Sequence, residues 1–174
     1  LEDGYGINIR PLSTFALETY KDDNCEKFVP KVFDYNKYIR SDEISIAKIH
    51  KAISIIQFKL EGQIIKEHPE YKMDGRLLLD KIDYEKGTIQ IDNKVYNLND
   101  TNFPTVYYKN PYKLTKEEEE IINRLQESFR NSETLNKHIS FLYSKASLFK
   151  CFNSNLLFHG CVPMEADGEF SKIE

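Results

Sequence analysis

The longest regular pattern in this sequence is a series of apolar residues spaced three or four positions apart. It occupies residues 42–66, which is the spacing of an amphipathic α-helix of about seven turns. Ser41 is the expected N-cap, and Pro69 is expected to close the helix. The residues of the pattern are Ile46, Ile49, Ile53, Ile56, Leu60 and Ile64. A helix of this length needs a sizeable core, which indicates a folded protein.

The apolar face of this helix is wider than a single stripe. Further apolar residues flank the stripe, namely Ala47, Ala52, Ile55 and Phe58. A wide face predicts packing against more than one neighbour. Two roles follow, either a scaffold helix within the core or a contact between two copies, and the sequence leaves both open.

Shorter elements are expected on either side of the long helix. Residues 1–10 are predicted to be a loop that leads into a helix over residues 11–20, with Pro11 in the first turn. Residues 21–40 show no clean period and are expected to be irregular. Alternating apolar and polar residues at 88–98 predict a β-hairpin that turns at Asp92-Asn93. Residues 100–113 are expected to form a connecting loop.

A helix start signal follows this loop. Thr115 and Glu118 have the spacing of a capping box, which predicts a helix over residues 116–130. The acidic run Glu117–Glu120 is expected to stay solvated and to stabilise the helix dipole.

The last part of the sequence predicts one more helix and two strands. Ser132 can cap a helix whose Leu135, Ile139 and Leu142 share a face. The apolar runs 147–152 and 155–158 predict two buried strands joined by a turn at Asn153-Ser154. Together these elements predict an α+β fold that is mainly helical.

Composition excludes several classes of partner. The 174 residues carry 28 acids and 24 bases, a net charge of -4, so no broad positive field attracts nucleic acid. No apolar run approaches the roughly 18 residues of a membrane span. The odd number of cysteines, Cys25, Cys151 and Cys161, argues against a disulfide framework and favours a cytoplasmic protein. The sequence does not begin with Met, and we expect it to be an internal piece of a longer chain.

The strongest candidate for chemistry is the dipeptide His159-Gly160. An apolar run predicted as a strand, residues 155–158, ends directly before it, and open α/β sheets bind ligands at the carboxyl ends of their strands. A neutral imidazole is a good ligand for manganese, iron or zinc, and Gly160 allows a sharp turn beside it. The competing interpretation is a structural histidine satisfied by backbone carbonyls.

The sequence predicts no catalytic or metal-binding role for the remaining histidines or for Cys161. His50 and His68 lie on or just beyond the long helix, and His138 lies between apolar positions of a predicted helix. We interpret all three as non-catalytic. Cys161 follows His159 but has no second cysteine at zinc-binding spacing, so it is expected to be a small buried thiol.

Two stretches carry a specific family resemblance. They are LEDGYGINIRPLSTFALETYKDD at residues 1–23 and LNKHISFLYSKASLFKCFNSNLLFHGCVPMEADGEF at residues 135–170. Both resemble class III fructose-1,6-bisphosphatases, bacterial enzymes of the calcineurin-like metallophosphoesterase superfamily. The region between the two stretches is similar in order to the helical insertion of that family.

The resemblance implies a fold and a division of the chain. The longer protein is expected to have an α/β metallophosphoesterase sandwich as its core. Residues 1–23 and 132–174 would belong to that core, the latter with the His-Gly motif. Residues 24–131 would form the helical insertion, with its hairpin near residues 88–98.

The resemblance also implies an activity. Such enzymes hydrolyse fructose 1,6-bisphosphate to fructose 6-phosphate and phosphate in gluconeogenesis, at a centre of two divalent ions, here expected to be manganese. His159 would be one metal ligand and Gly160 would shape the loop beside it. The aspartate and Gly-Asn-His-Asp motifs of the family would precede Leu1, and its Gly-His-Thr motif would follow Glu174, so the chain alone is expected to be inactive. The alternative is a helical interaction module that forms a homo-oligomer without catalysis.

Overall fold

The computed structural model of the chain describes residues 2–30, 40–147, 149–158, 160 and 164–169. The chain divides into two compact units, Leu1–Ser132 and Glu133–Glu174. Within the described ranges, no helix is both long enough and apolar enough to pass through a lipid bilayer. Helices predominate and the strands form small antiparallel sheets, which confirms the predicted α+β class. The sandwich expected for the longer protein stays a prediction.

The first unit is built around the predicted long helix. Its described helices are α1 (Glu2–Tyr5), α2 (Arg10–Thr19), α3 (Arg40–Glu67) and α4 (Lys116–Arg130). The predicted helices at 11–20, 42–66 and 116–130 are therefore confirmed, with Pro11 in the first turn of α2 and Thr115 in a capping box at α4. The loop expected over residues 1–10 instead contains the single turn α1.

The start of α3 differs from the prediction. The helix already includes Arg40, so Ser41 lies inside it and is not the N-cap. Helix ends fray, so their boundaries commonly differ by one or two residues from what a sequence signal predicts. The irregular segment predicted before α3 holds a one-turn 3-10 helix at Glu26–Phe28, and its residues 31–39 lie outside the described ranges.

The core of the first unit lies where α2, α3 and α4 meet. Its buried residues are Leu12, Ala16, Tyr20, Cys25, Ala47, Ala52, Ile56 and Ile121. The small side chains of Ala16, Ala47 and Ala52 are almost fully buried. Small residues allow helix backbones to approach closely, so the alanines that the sequence placed at the margin of the α3 face lie at its centre.

A small sheet follows α3. Strands β1 (Ile82–Asp83), β2 (Thr88–Ile91) and β3 (Lys94–Asn97) pair antiparallel in the order β1-β2-β3. The turn residues Asp92 and Asn93 have φ of 45° and 63°, the left-handed pair that a two-residue hairpin requires. The predicted hairpin is confirmed. Strand β1 was not predicted, because two residues are too few to show the alternation of apolar and polar side chains that marks a strand.

One-turn 3-10 helices connect α3 to this sheet. They are Pro69–Tyr71, Asp74–Arg76 and Leu79–Lys81. The segment between the sheet and α4 consists of turns and extended backbone, as predicted for residues 100–113.

The second unit contains α5 (Glu133–Lys145) and a hairpin of β4 (Phe149–Phe152) and β5 (Asn155–Phe158). Its turn residues Asn153 and Ser154 have φ of 48° and 62°, so the predicted strands and turn are confirmed. Their predicted burial is wrong. Phe149, Phe152 and Leu156 are each more than half exposed, because a two-stranded ribbon has no second layer of its own to cover it.

Candidate functional site

The expected metal ligand His159 lies outside the described residues, as does Cys161. The structure describes what stands on either side of His159. Strand β5 ends at Phe158, and Gly160 has a φ of +88°, a conformation that L side chains rarely adopt. The strand and the sharp turn expected around His159 are therefore present, while its role as a ligand stays a prediction.

The other histidines have local partners or lie at the surface. His50 Nδ1 lies 3.3 Å from the carbonyl oxygen of Phe28. His68 Nδ1 lies 2.8 Å from Glu70 Oε1, and the His68 ring stacks on Tyr71. His138 lies on the exposed surface of α5.

Over the part of the chain that is described, no three or more His, Cys, Asp or Glu side chains are grouped as a metal site would need.

The first unit contains a fully buried lysine, Lys51. Its Nζ lies 2.7 Å from Asp23 Oδ2 and 2.7 Å from Asp100 Oδ2. We call these three residues the Lys51 cluster. The ammonium also lies 4.9 Å from the ring centre of Tyr20, a cation–π distance. The cluster joins the segment after α2 and the segment after β3 to the middle of α3.

Burial and hydrogen bonds, the largest of them from Lys51, set the pKa of Asp23. Burial alone would raise the pKa of the Asp23 carboxyl. Hydrogen bonds from Lys51 Nζ, from the Cys25 amide and from the Asn102 side chain outweigh burial and lower this pKa to about 2. Asp23 is thus held as an anion at neutral pH.

A second buried lysine, Lys59, pairs with Glu118. Lys59 Nζ donates to Glu118 Oε2 at 2.7 Å and to the carbonyl oxygen of Thr105 at 2.6 Å. Glu118 Oε2 also accepts from the Thr115 amide at 2.7 Å. The side chains of Lys59 and Glu118 are at most 1% exposed. The prediction that the whole run Glu117–Glu120 stays solvated is therefore wrong for Glu118.

A third lysine completes the pattern. Lys48 is buried and its Nζ donates to the carbonyl oxygen of Lys21 at 3.1 Å. Lys48, Lys51 and Lys59 are three and eight residues apart, so they share one face of α3. Sequence reasoning missed this face because lysine ordinarily marks the solvent side. The available signal was that Lys48 and Lys51 stand next to the apolar residues Ala47 and Ala52 in the sequence.

The opposite margin of α3 is apolar and open. Part of the predicted apolar stripe lines a groove of about 600 Å³, and Ile64 is 52% exposed there. The groove residues from the stripe are Ile53, Ile56, Leu60 and Ile64, and they are joined by Tyr71, Met73 and Ile122. Elsewhere α3 contacts both α2 and the 3-10 helix Glu26–Phe28, which confirms the prediction that it packs against more than one neighbour.

Comparison with known proteins identifies the family. The family model described as Firmicute fructose-1,6-bisphosphatase matches residues 1–174. The fructose-1,6-bisphosphatase class 3 proteins of Clostridium novyi (strain NT) and Clostridium tetani (strain Massachusetts / E88) are each 59% identical to this chain. That of Alkaliphilus metalliredigens (strain QYMF) is 57% identical. No solved structure matches the chain.

The match covers nearly all of this chain but only a small part of each relative. In each of these three comparisons the match covers 99% of this chain and 26% of the relative. The chain therefore spans about a quarter of the length of the curated relatives.

Proposed function

The chain belongs to the Firmicute fructose-1,6-bisphosphatase family, and we propose that it is part of an enzyme that hydrolyses fructose 1,6-bisphosphate to fructose 6-phosphate and phosphate. The support is the match over residues 1–174 and the name that the relatives carry. The reaction would serve gluconeogenesis in the cytoplasm.

Within that enzyme we assign His159 the role of a metal ligand and Gly160 that of shaping the loop. His159 follows Phe158, the last residue of the β4–β5 hairpin, in the sequence, and Gly160 has a positive φ. Divalent ions, which we propose to be manganese, would supply charge neutralisation for the phosphoryl oxygens and a nucleophilic water near neutral pH.

The chain by itself is proposed to be inactive. One imidazole gives a weak and exchangeable site, because metal affinity comes from several ligands that converge in fixed geometry. The described residues supply no further cluster of that kind. Phosphate release from fructose 1,6-bisphosphate with added Mn²⁺ tests this, and turnover at the rate of a complete relative would contradict it.

The role of His159 can be tested in a chimera. This chain would replace the matching quarter of the Clostridium novyi enzyme, in which it is 59% identical over 174 residues. His159→Asn should lower phosphate release and weaken activation by Mn²⁺ by more than about 100-fold, since even outer-shell partners of metal ligands are worth about 10- to 100-fold. His68→Asn is the matched control, because His68 contacts only Glu70 and Tyr71 among the contacts described above. Equal activity of the two variants would refute the assignment.

A second candidate function is self-association. It is favoured by the open groove along α3 and by the exposed apolar side chains of the β4–β5 hairpin, since large uncovered apolar patches mark contact surfaces. Ile64→Glu should convert any oligomer of the chain to monomer, as measured by sedimentation velocity, whereas Lys72→Glu, at an exposed position nearby, should not. A chain that is monomeric at high concentration would exclude this function.

A further inference from the structure

The buried Lys59–Glu118 pair leaves two polar atoms without a protein partner. Glu118 Oε1 and Thr105 Oγ1 are buried, and neither finds a hydrogen-bond partner among the residues that the structure describes. Buried polar atoms are nearly always hydrogen-bonded, so each such atom requires an explanation. Both atoms belong to residues that already bind the same ammonium group, through Glu118 Oε2 at 2.7 Å and the Thr105 carbonyl oxygen at 2.6 Å.

We propose that an internal water molecule binds at this place and bridges Lys59 Nζ, Glu118 Oε1 and Thr105 Oγ1. A lysine ammonium has three donors. Glu118 Oε2 and the Thr105 carbonyl accept two of them, and the third can donate to the water. The water in turn donates one proton to Glu118 Oε1 and the other to Thr105 Oγ1. It then makes three hydrogen bonds, about the usual number for a buried water.

The charges around the site select a neutral ligand. A bound cation would lie beside the Lys59 ammonium, and a bound anion would face the Glu118 carboxylate. Lys59 and Glu118 already neutralise each other at 2.7 Å, so an added ion of either sign would be an uncompensated charge in a place from which bulk water is excluded. In the proposed arrangement the ligand accepts one hydrogen bond and donates two, which water does at the smallest size.

The water would join a loop to a helix start. Glu118 Oε2 accepts from the Thr115 amide within the capping box of α4, and Thr105 belongs to the connecting loop. Removal of the Thr105 hydroxyl should therefore loosen the first turn of α4 as well as the loop. A purely local role of the hydroxyl would leave α4 unchanged.

The test compares Thr105→Val, which keeps the side-chain shape and removes the hydroxyl, with Thr105→Ser, which keeps the hydroxyl. A high-resolution crystal structure of the whole chain should show a water peak within hydrogen-bond distance of all three atoms in the wild type and in Thr105→Ser. In Thr105→Val we expect the peak to weaken and the Glu118 amide to exchange with solvent roughly tenfold faster.

Three results would overturn the proposal. One is an empty site in the wild type, and another is a direct hydrogen bond from the Thr105 hydroxyl to Glu118 Oε1. The third is an anomalous signal from a soaked rubidium ion at the site, which would show a cation. Water-oxygen relaxation dispersion provides an independent readout in solution, because Thr105→Val should hold one long-lived water fewer than Thr105→Ser.

Discussion

The ring of Tyr112 packs against Gly62 of α3 so closely that a Cβ at Gly62 would lie 2.0 Å from Tyr112 Cδ1. Tyr112 is itself held in place. Its hydroxyl donates to Asp80 Oδ1 at 3.1 Å, and its carbonyl oxygen accepts from Gln63 Nε2 at 2.7 Å. Since Tyr112 is 3% exposed, the ring has little room to withdraw.

Gly62→Ala should therefore destabilise the first unit, although alanine is the better helix former by about 1 kcal/mol. The overpacking cost of about 1–3 kcal/mol should exceed that gain. The measurement is the urea midpoint followed by helical circular dichroism. Gly75→Ala is the control, because no atom lies within 4 Å of its added Cβ. Equal midpoints for the two variants would contradict the close packing.

Lys51→Met should be among the most destabilising single changes in α3. Methionine keeps the length of the stem but leaves Asp23 and Asp100 close together without a cation, and the loss of one partner of a buried ion pair costs roughly 3–5 kcal/mol. Lys94→Met on the exposed strand β3 is the matched control and should change stability by less than about 0.5 kcal/mol. If Lys51→Met and Lys94→Met had the same melting temperature, the Lys51 cluster would contribute nothing to the stability of the fold.

The contribution of Asp23 to the free energy of unfolding should depend on pH. Its pKa of about 2 in the folded chain lies below the value of about 3.9 in an unfolded chain. A lowered folded pKa gives stability that is present above about pH 4 and is lost as the pH falls toward 2. The stability difference between wild type and Asp23→Asn, on the order of 2 kcal/mol at neutral pH, should therefore shrink over that range. Asp22→Asn, at an exposed neighbour, is the control for the loss of one negative charge.

The two cysteines that the structure describes should differ in reactivity. Burial, and next the negative charge of Asp23, raise the pKa of the Cys25 thiol to about 11, so it stays protonated and shielded at pH 8. Cys151 is exposed on β4. Iodoacetamide labelling followed by peptide mass spectrometry should modify Cys151 in the folded chain and Cys25 only after denaturation. Rapid labelling of Cys25 under native conditions would show that the α2–α3 core opens easily.

The sequence predicted what local chemistry determines. The spacing of Ile46, Ile49 and Ile53 predicted a helix, and Thr115 with Glu118 predicted its capping box. The residue types of Asp92 and Asn93, which tolerate positive φ, predict the first hairpin turn, and the position of Asn153-Ser154 between two apolar runs predicts the second. Each of these signals operates within a few residues.

The sequence could not predict contacts made across the fold. Lys51 meets Asp23 and Asp100 over separations of 28 and 49 residues, and no short pattern records such meetings. The prediction of burial at residues 155–158 was wrong for a related reason. The apolar run at residues 155–158 was predicted to be covered, but coverage depends on neighbours in space, and the β4–β5 ribbon supplies none by itself. The assignment of His159 came from the resemblance to a family and still depends on it.

The buried lysines Lys51 and Lys59 prevent α3 from sliding along its axis relative to the segments packed against it. An apolar stripe repeats with every turn, so a helix held only by aliphatic contacts could shift by one turn, about 5.4 Å, and find similar surroundings. Such a shift would carry the ammonium groups of Lys51 and Lys59 away from their carboxylates at a heavy electrostatic cost. The two ion pairs thus fix the position of the helix along its own axis, which apolar contacts alone would leave undetermined.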